Sequence, residues 1–239
     1  MSRARRIALA ALLPAALAAP LWGPRLLAAT PWFPVKRVEV VGSRIVAPHE
    51  VVAASGIRRG ESLWSDPRGW EERLGRHPAL AGAEVTRRLP GTLRVEVREK
   101  RPVGLVEAET LRPVTAAGEL LPVDPARIPV DLPLIRVEGR VTDPATRALL
   151  AEVERLGGLD AGLLARVSEV KWAGKGVLLL SLSAPDARVL VPVGVGSTPL
   201  RQLRAALEDV EGRLAGAAGP VHVDLRYQDQ VVVRFPSRA

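Results

Sequence analysis

Between Phe33 and Arg101 the spacing of apolar positions changes period twice. Val38 and Val40 alternate with Arg37, Glu39 and Val41, the period-two pattern of a strand over Val35–Val41, and Gly42 ends it. Pro48 opens a short helix with Val51 and Val52 as apolar contacts and Gly56 just past its end. Residues 57–63 read as a loop. Asp66-Pro67 then supplies an N-cap followed by proline at the first helical position, predicting a helix through His77 with Trp70 and Leu74 on one face. Two strands follow around the Pro90-Gly91 turn. Ala83–Leu89 turns Val85 inward, and Leu93, Val95 and Val97 then alternate with Arg94, Glu96 and Arg98. The order is β-α-α-β-β.

Residues 102–236 are richer in strand. Val103–Glu107 and Leu111–Val114 flank a turn, and the Gly118–Asp124 stretch follows. Asp143-Pro144 predicts a helix through Leu156, with Leu149, Leu150 and Val153 inward and Gly157 closing it. Val167–Trp172, Val177–Leu182 and Ala187–Val193 read as strands, the middle one almost wholly apolar and therefore central. Thr198-Pro199 opens the strongest helix, where Leu200, Leu203, Leu207, Val210 and Leu214 follow helical spacing and Arg201, Arg204, Glu208 and Glu211 face solvent. Val221–Arg226 alternates, a turn falls near Tyr227-Gln228-Asp229, and Val231–Phe235 reads as a final strand.

Ahead of both regions, Ile7 to Pro24 is a run of eighteen uncharged residues with arginines on either side. As a helix it would rise about 27 Å against a hydrocarbon core of about 30 Å. The run reaches Ala29 if Arg25 snorkels. Its length and Trp22 favour an uncleaved signal-anchor, with residues 1–6 in the cytoplasm by the positive-inside tendency and residues 30–239 outside. A cleaved signal peptide ending at Leu27-Ala28-Ala29 is the other reading. A buried core helix fits poorly, because the segment has no polar face.

Charge and composition narrow the partners. The net charge is +8, but Arg3, Arg5, Arg6 and Arg25 supply half of that excess, and the remainder is interleaved with acids. Nucleic-acid binders concentrate basic residues on one element and add aromatics for stacking; here aromatics are 3% of the chain. The absence of cysteine rules out thiol catalysis, disulfides and Cys-ligated zinc. His49, His77 and His222 match no metal-ligand spacing. Gly194-Val195-Gly196-Ser197-Thr198 before a helix lacks the lysine of a P-loop and the third glycine of a dinucleotide site, so it reads as a loop plus helix start. Glu71-Glu72 reads as a solvated helix face. No catalytic constellation emerges, and neither a cofactor nor a small-molecule substrate is expected.

Two passages carry a family resemblance. Phe33–Gly42 (FPVKRVEVVG) and Arg87–Pro102 (RRLPGTLRVEVREKRP) resemble the POTRA domain of the FtsQ/DivIB bacterial cell-division proteins, and Asp224-Leu225-Arg226-Tyr227 is similar to the motif that closes the FtsQ domain. The order of basic tail, single span and POTRA pattern matches that family. The resemblance implies an α+β chain with four parts: cytoplasmic tail 1–6, transmembrane signal-anchor 7–29, POTRA domain 33–101 and an FtsQ-type mixed β-sheet domain 102–236. It implies a non-catalytic divisome scaffold in the bacterial cytoplasmic membrane at the division septum. Its implied partners are FtsB-like and FtsL-like coiled-coil proteins and other divisome components.

The last strand is the expected contact. Three consecutive valines on a free edge would add a partner strand by β-augmentation. The resemblance implies docking through Arg226, Tyr227, Asp229, Gln230, Val231, Val232, Val233, Arg234 and Phe235, with Phe235 as an apolar anchor. A proline at Val232 is expected to disrupt it. The other reading of Val231–Phe235 is a strand paired on both sides inside the sheet. For the whole chain, the alternative is a periplasmic POTRA-containing chaperone or a secretion or outer-membrane assembly component with a cleaved signal, which a mature start near Thr30 would distinguish. An extracytoplasmic hydrolase would require a cluster of acids that the sequence does not offer.

Overall fold

A computed structural model describes residues 33–128, 131–213, 219–227 and 230–236. The expected tail and membrane segment, 1–6 and 7–29, lie outside the described residues. No helix among the described residues is long and apolar enough to cross a membrane. The chain divides into two compact units between Glu99 and Lys100.

The first unit holds β1 (Arg37–Val41), α1 (Pro48–Ser55), α2 (Arg68–Gly75), β2 (Leu80–Arg88) and β3 (Thr92–Glu99), in the β-α-α-β-β order expected. The strands form a sheet in the order β1-β3-β2, with β1 parallel and β2 antiparallel to β3. Leu93, Val95 and Val97 of β3 bury one face of the sheet, with Val51, Trp70 and Leu74 of the helices in the same core. Asp66 accepts the Arg68 N–H at 3.1 Å. However, α2 stops at Gly75, short of His77, whose ring nitrogen accepts the Ala79 N–H. Glu71 is not simply a solvated residue. Its carboxylate accepts the Val85 N–H at 2.9 Å and so covers part of the β2 edge.

The carboxylate of Glu99 closes the other end of this unit. It accepts the backbone N–H groups of Arg44, Ile45 and Val46 at 2.8–3.1 Å, fixing the turn between β1 and α1. Hydrogen bonds to a charged acceptor contribute more than neutral ones, and their loss leaves three donors to find water. Glu99→Ala is expected to lower the unfolding free energy by about 2 kcal/mol. Urea titration would measure it, and an unchanged midpoint would contradict this role.

The second unit is a mixed eight-stranded sheet in the order β11-β10-β9-β8-β7-β6-β4-β5. Its strands are β4 (Pro102–Glu107), β5 (Leu111–Thr115), β6 (Leu134–Ile135), β7 (Val167–Trp172), β8 (Val177–Ser183), β9 (Asp186–Pro192), β10 (Val221–Asp224) and β11 (Val232–Arg234). Its helices are α3 (Pro144–Leu159), α4 (Ala161–Leu164) and α5 (Ser197–Arg213). The apolar stripes of α3 and α5 form one cluster with the inward residues of the sheet. β8 is central, but its residues alternate between buried and half-buried, so one face of the sheet is less covered.

Two expected helix ends differ. Asp143 turns its carboxylate back to the Arg140 N–H instead of capping α3. Gly157 does not close α3, which continues to Leu159. A Cβ at Gly157 would lie 2.8 Å from Leu164 Cδ2, so the missing side chain admits α4 rather than ending the helix. Glu152 of α3 is buried, accepts the Gly194 N–H at 2.9 Å and pairs with Arg155, whose Nη1 donates to Val195 O. Asp160 caps α4 through the Leu163 N–H and pairs with Arg204 of α5.

Candidate docking edge

The sheet of the second unit has two outer strands, and they are finished differently. At β5, the segment after the strand folds back along it: Thr115 N–H donates to Glu119 O, Leu121 N–H donates to Pro113 O, and Val114 bridges Leu120. At the opposite side β11 pairs with β10, and no described strand lies beyond it.

The direction of the free hydrogen-bonding groups follows from the neighbouring strands. The Leu225 N–H donates to Leu190 O beside β9 at 3.0 Å. Along a strand the amide and carbonyl of one residue point to one side, and successive residues alternate. Val221 and Val223 therefore address β9, whereas His222 and Asp224 address β11. His222 stands opposite Arg234, Val223 opposite Val233 and Asp224 opposite Val232. Val232 and Arg234 thus use their amides inward. Val233 turns both its N–H and its C=O away from the sheet, in a strand shorter than the expected Val231–Phe235. A proline at Val232 would therefore distort the edge by breaking the native β10–β11 ladder rather than by removing an outward donor.

The side chains divide by face. Val231 and Val233 pack against the core. Val232 and Arg234 point to the other face, where cross-strand registry makes two rows, Arg188–His222–Arg234 and Leu190–Asp224–Val232. These six residues and Arg226 line a cavity of about 350 Å³. Arg226 is engaged: its guanidinium donates to both Asp224 oxygens, Nε to Oδ1 at 2.9 Å and Nη2 to Oδ2 at 2.7 Å. Tyr227 and Phe235 are 49% and 47% exposed, and Gln230 is exposed. Asp229 lies outside the described residues. Arg188 was not singled out from sequence, because only the β9–β10 register brings it level with His222.

Three carboxylates here are held below their ordinary range. For Asp224 the chief cause is the hydrogen bond from Arg226, and burial works against it. For Glu152 it is the hydrogen bond from Arg155. Burial pushes Asp160 up, but Arg204 and the Leu163 N–H outweigh it. A group depressed in the folded state adds stability above its unfolded pKa, and that stability is lost as pH falls through the folded value. Stability should therefore be flat near neutrality with respect to these groups and fall below about pH 4. Asp224→Asn should flatten that decline in denaturant titrations at pH 7 and pH 3; an unchanged decline would contradict it.

The glycine loop at 194–198 holds no vacant anion cradle at Gly194, because the Glu152 carboxylate occupies that N–H. Among the described residues no cluster of His, Asp or Glu could hold a metal ion.

Comparison with known proteins adds identity to this geometry. Residues 33–100 match the family model described as POTRA domain, FtsQ-type. The chain is 32% identical over 213 residues to the cell division protein FtsQ of Rhodothermus marinus, covering 83% of this chain and 76% of that protein. It is 27% identical over 224 residues to FtsQ of Geotalea daltonii, covering 88% and 78%. It is 30% identical over 141 residues to the cell division protein DivIB of Geobacillus kaustophilus, covering 58% and 52%.

Proposed function

The chain belongs to the FtsQ/DivIB family of bacterial cell-division proteins, and from that premise we propose that it is a divisome scaffold that docks a partner strand on β11. The family is non-catalytic, and the role is recruitment: an FtsB-like chain, accompanied by an FtsL-like one, adds a strand beside Val231–Phe235. Residues 7–29 anchor the protein in the cytoplasmic membrane, with residues 1–6 in the cytoplasm and residues 33–101 and 102–236 outside, at the septum.

The observation that carries the docking reading is the asymmetry of the larger sheet, with β5 covered by its own chain and Val233 turned outward from β11. β-Augmentation supplies affinity through main-chain hydrogen bonds and specificity through alternate side chains. On this edge the flanking exposed rings of Tyr227 and Phe235 serve as apolar anchors. Depleting the protein in its own host should give filamentous cells that divide again when the full chain is restored. Normal septation after depletion would overturn the division role.

A further inference from the structure

We infer that the β2–β3 hairpin tip of the first unit rests on the anionic phospholipid headgroups of the membrane that holds the N-terminal segment; this builds on the membrane-anchored reading proposed above. The chain enters the first unit at one end only. Leu63 N–H donates to Phe33 O, Val35 N–H to Glu61 O, and the Lys36 and Arg37 N–H groups both donate to Gly91 O in the hairpin turn. The entry strand and the Pro90-Gly91 tip are therefore side by side. Four peptide steps separate Ala29, the end of the predicted span, from Phe33, a reach of at most about 14 Å. Whatever orientation the unit takes, Phe33 stays within that distance of the end of the predicted span, and the tip lies beside the chain that follows it.

The chemistry of that end suits such a surface. Leu89 is 64% exposed, the largest exposure among the large apolar side chains described, and Pro90 beside it is exposed as well. Around them stand the exposed Lys36, Arg37, Arg87 and Arg88. Arg87 is braced, donating to Leu63 O and Ser65 O and lying 5.5 Å over the Trp64 ring, which meets Phe33 edge-on.

On the open face of the sheet the row at the tip carries bases and no acid. The row nearest the tip is Arg37–Thr92–Arg88, the next is Glu39–Arg94–Thr86 and the third is Val41–Glu96–Glu84, beyond which the exposed Arg98 stands opposite Gly82. Basic residues thus gather where the chain leaves the predicted span, and the acids Glu39, Glu84 and Glu96 stand only behind that first row. An apolar tip ringed by cations, with no acid in its own row, is drawn to anionic headgroups.

The chain has no cysteine, so Leu89→Cys gives a single site for an environment-sensitive fluorophore. The full chain would be reconstituted in nanodiscs of phosphatidylcholine, with or without phosphatidylglycerol, carrying a headgroup nitroxide. Quenching at position 89 should be several-fold stronger with phosphatidylglycerol. It should fall several-fold when Lys36, Arg37 and Arg88 are changed to glutamate, or when salt rises from about 50 to 500 mM. A fluorophore introduced through Glu84→Cys, two rows behind the tip row, should stay unquenched. Equal quenching at 84 and 89, or no dependence on lipid charge, would overturn the inference. So would a charge-reversed variant that keeps its lipid response but loses a co-purifying partner, which would assign the tip to an acidic protein. Carbonate extraction of the same protein tests the anchor separately. Release from the bilayer would remove the span, while position 89 still reports on the tip.

Discussion

Val233→Pro is expected to weaken capture of the FtsB-like partner by roughly 30- to 100-fold while leaving the protein folded. The Val233 N–H faces away from β10, so a proline there removes no native hydrogen bond. Proline is tolerated on an edge strand where its missing donor faces outward. What it removes is the donor that an added strand needs, and the ring obstructs the approach. One lost backbone hydrogen bond with a stranded partner carbonyl costs about 2.0–2.7 kcal/mol, which is that change in affinity.

The neighbouring variant supplies the contrast. Val232→Pro breaks an inward bond in a strand of only three residues, so β11 should detach from β10 and expose the His222 and Asp224 amides to hydrogen exchange. Binding by co-purification or calorimetry, read together with exchange at His222 and Asp224, separates the two effects. A folded Val233→Pro protein that binds like the wild type would end the strand-addition reading.

The second large effect lies in the first unit. Gly42 follows β1 with φ +87°, and a Cβ built there would stand 2.3 Å from Val97 O. The left-handed conformation strains any residue with a side chain, and the obstruction is backbone, which cannot swing aside. Gly42→Ala must therefore strain its own backbone, displace β3, or do both. The expected cost is about 3 kcal/mol or more. For a unit of this size that is a fall in melting temperature of roughly 12–24 °C. Scanning calorimetry of the full chain would reveal it, with loss of exchange protection concentrated in β1 and β3. A wild-type melting curve would refute it.

Much of this fold was legible in the sequence because its signals are local. Alternation at Leu93, Val95 and Val97 identified β3, and the Leu200, Leu203, Leu207 and Val210 spacing identified α5. The helix ends were less legible, since the fate of Gly157 depends on where α4 returns to pack. Glu152 was missed although the pattern contained it: it stands three residues after Leu149 and four before Leu156, on the inward face of α3. Its charge obscured that placement, and its partners at residues 194 and 195 are remote in sequence. Glu99 lay inside the passage that carried the family resemblance, yet its three donors come from a turn more than fifty residues earlier. For the docking edge, the last strand could be read directly, but its open side could not. Which amides face outward depends on β10 lying beside β9, and strand pairing of that range leaves no mark in local periodicity.

The unequal finishing of the two outer strands also sets a valency. With Pro113 and Thr115 of β5 covered by residues 119–121, β11 is the outer strand that no described segment covers, and a sheet that docks a strand there would take up one. Strand addition of the proposed kind would therefore stop after a single step, as a cap does, and would not propagate into a fibre. Two copies meeting β11 to β11 would close both edges at once, which would set self-association in direct competition with the partner.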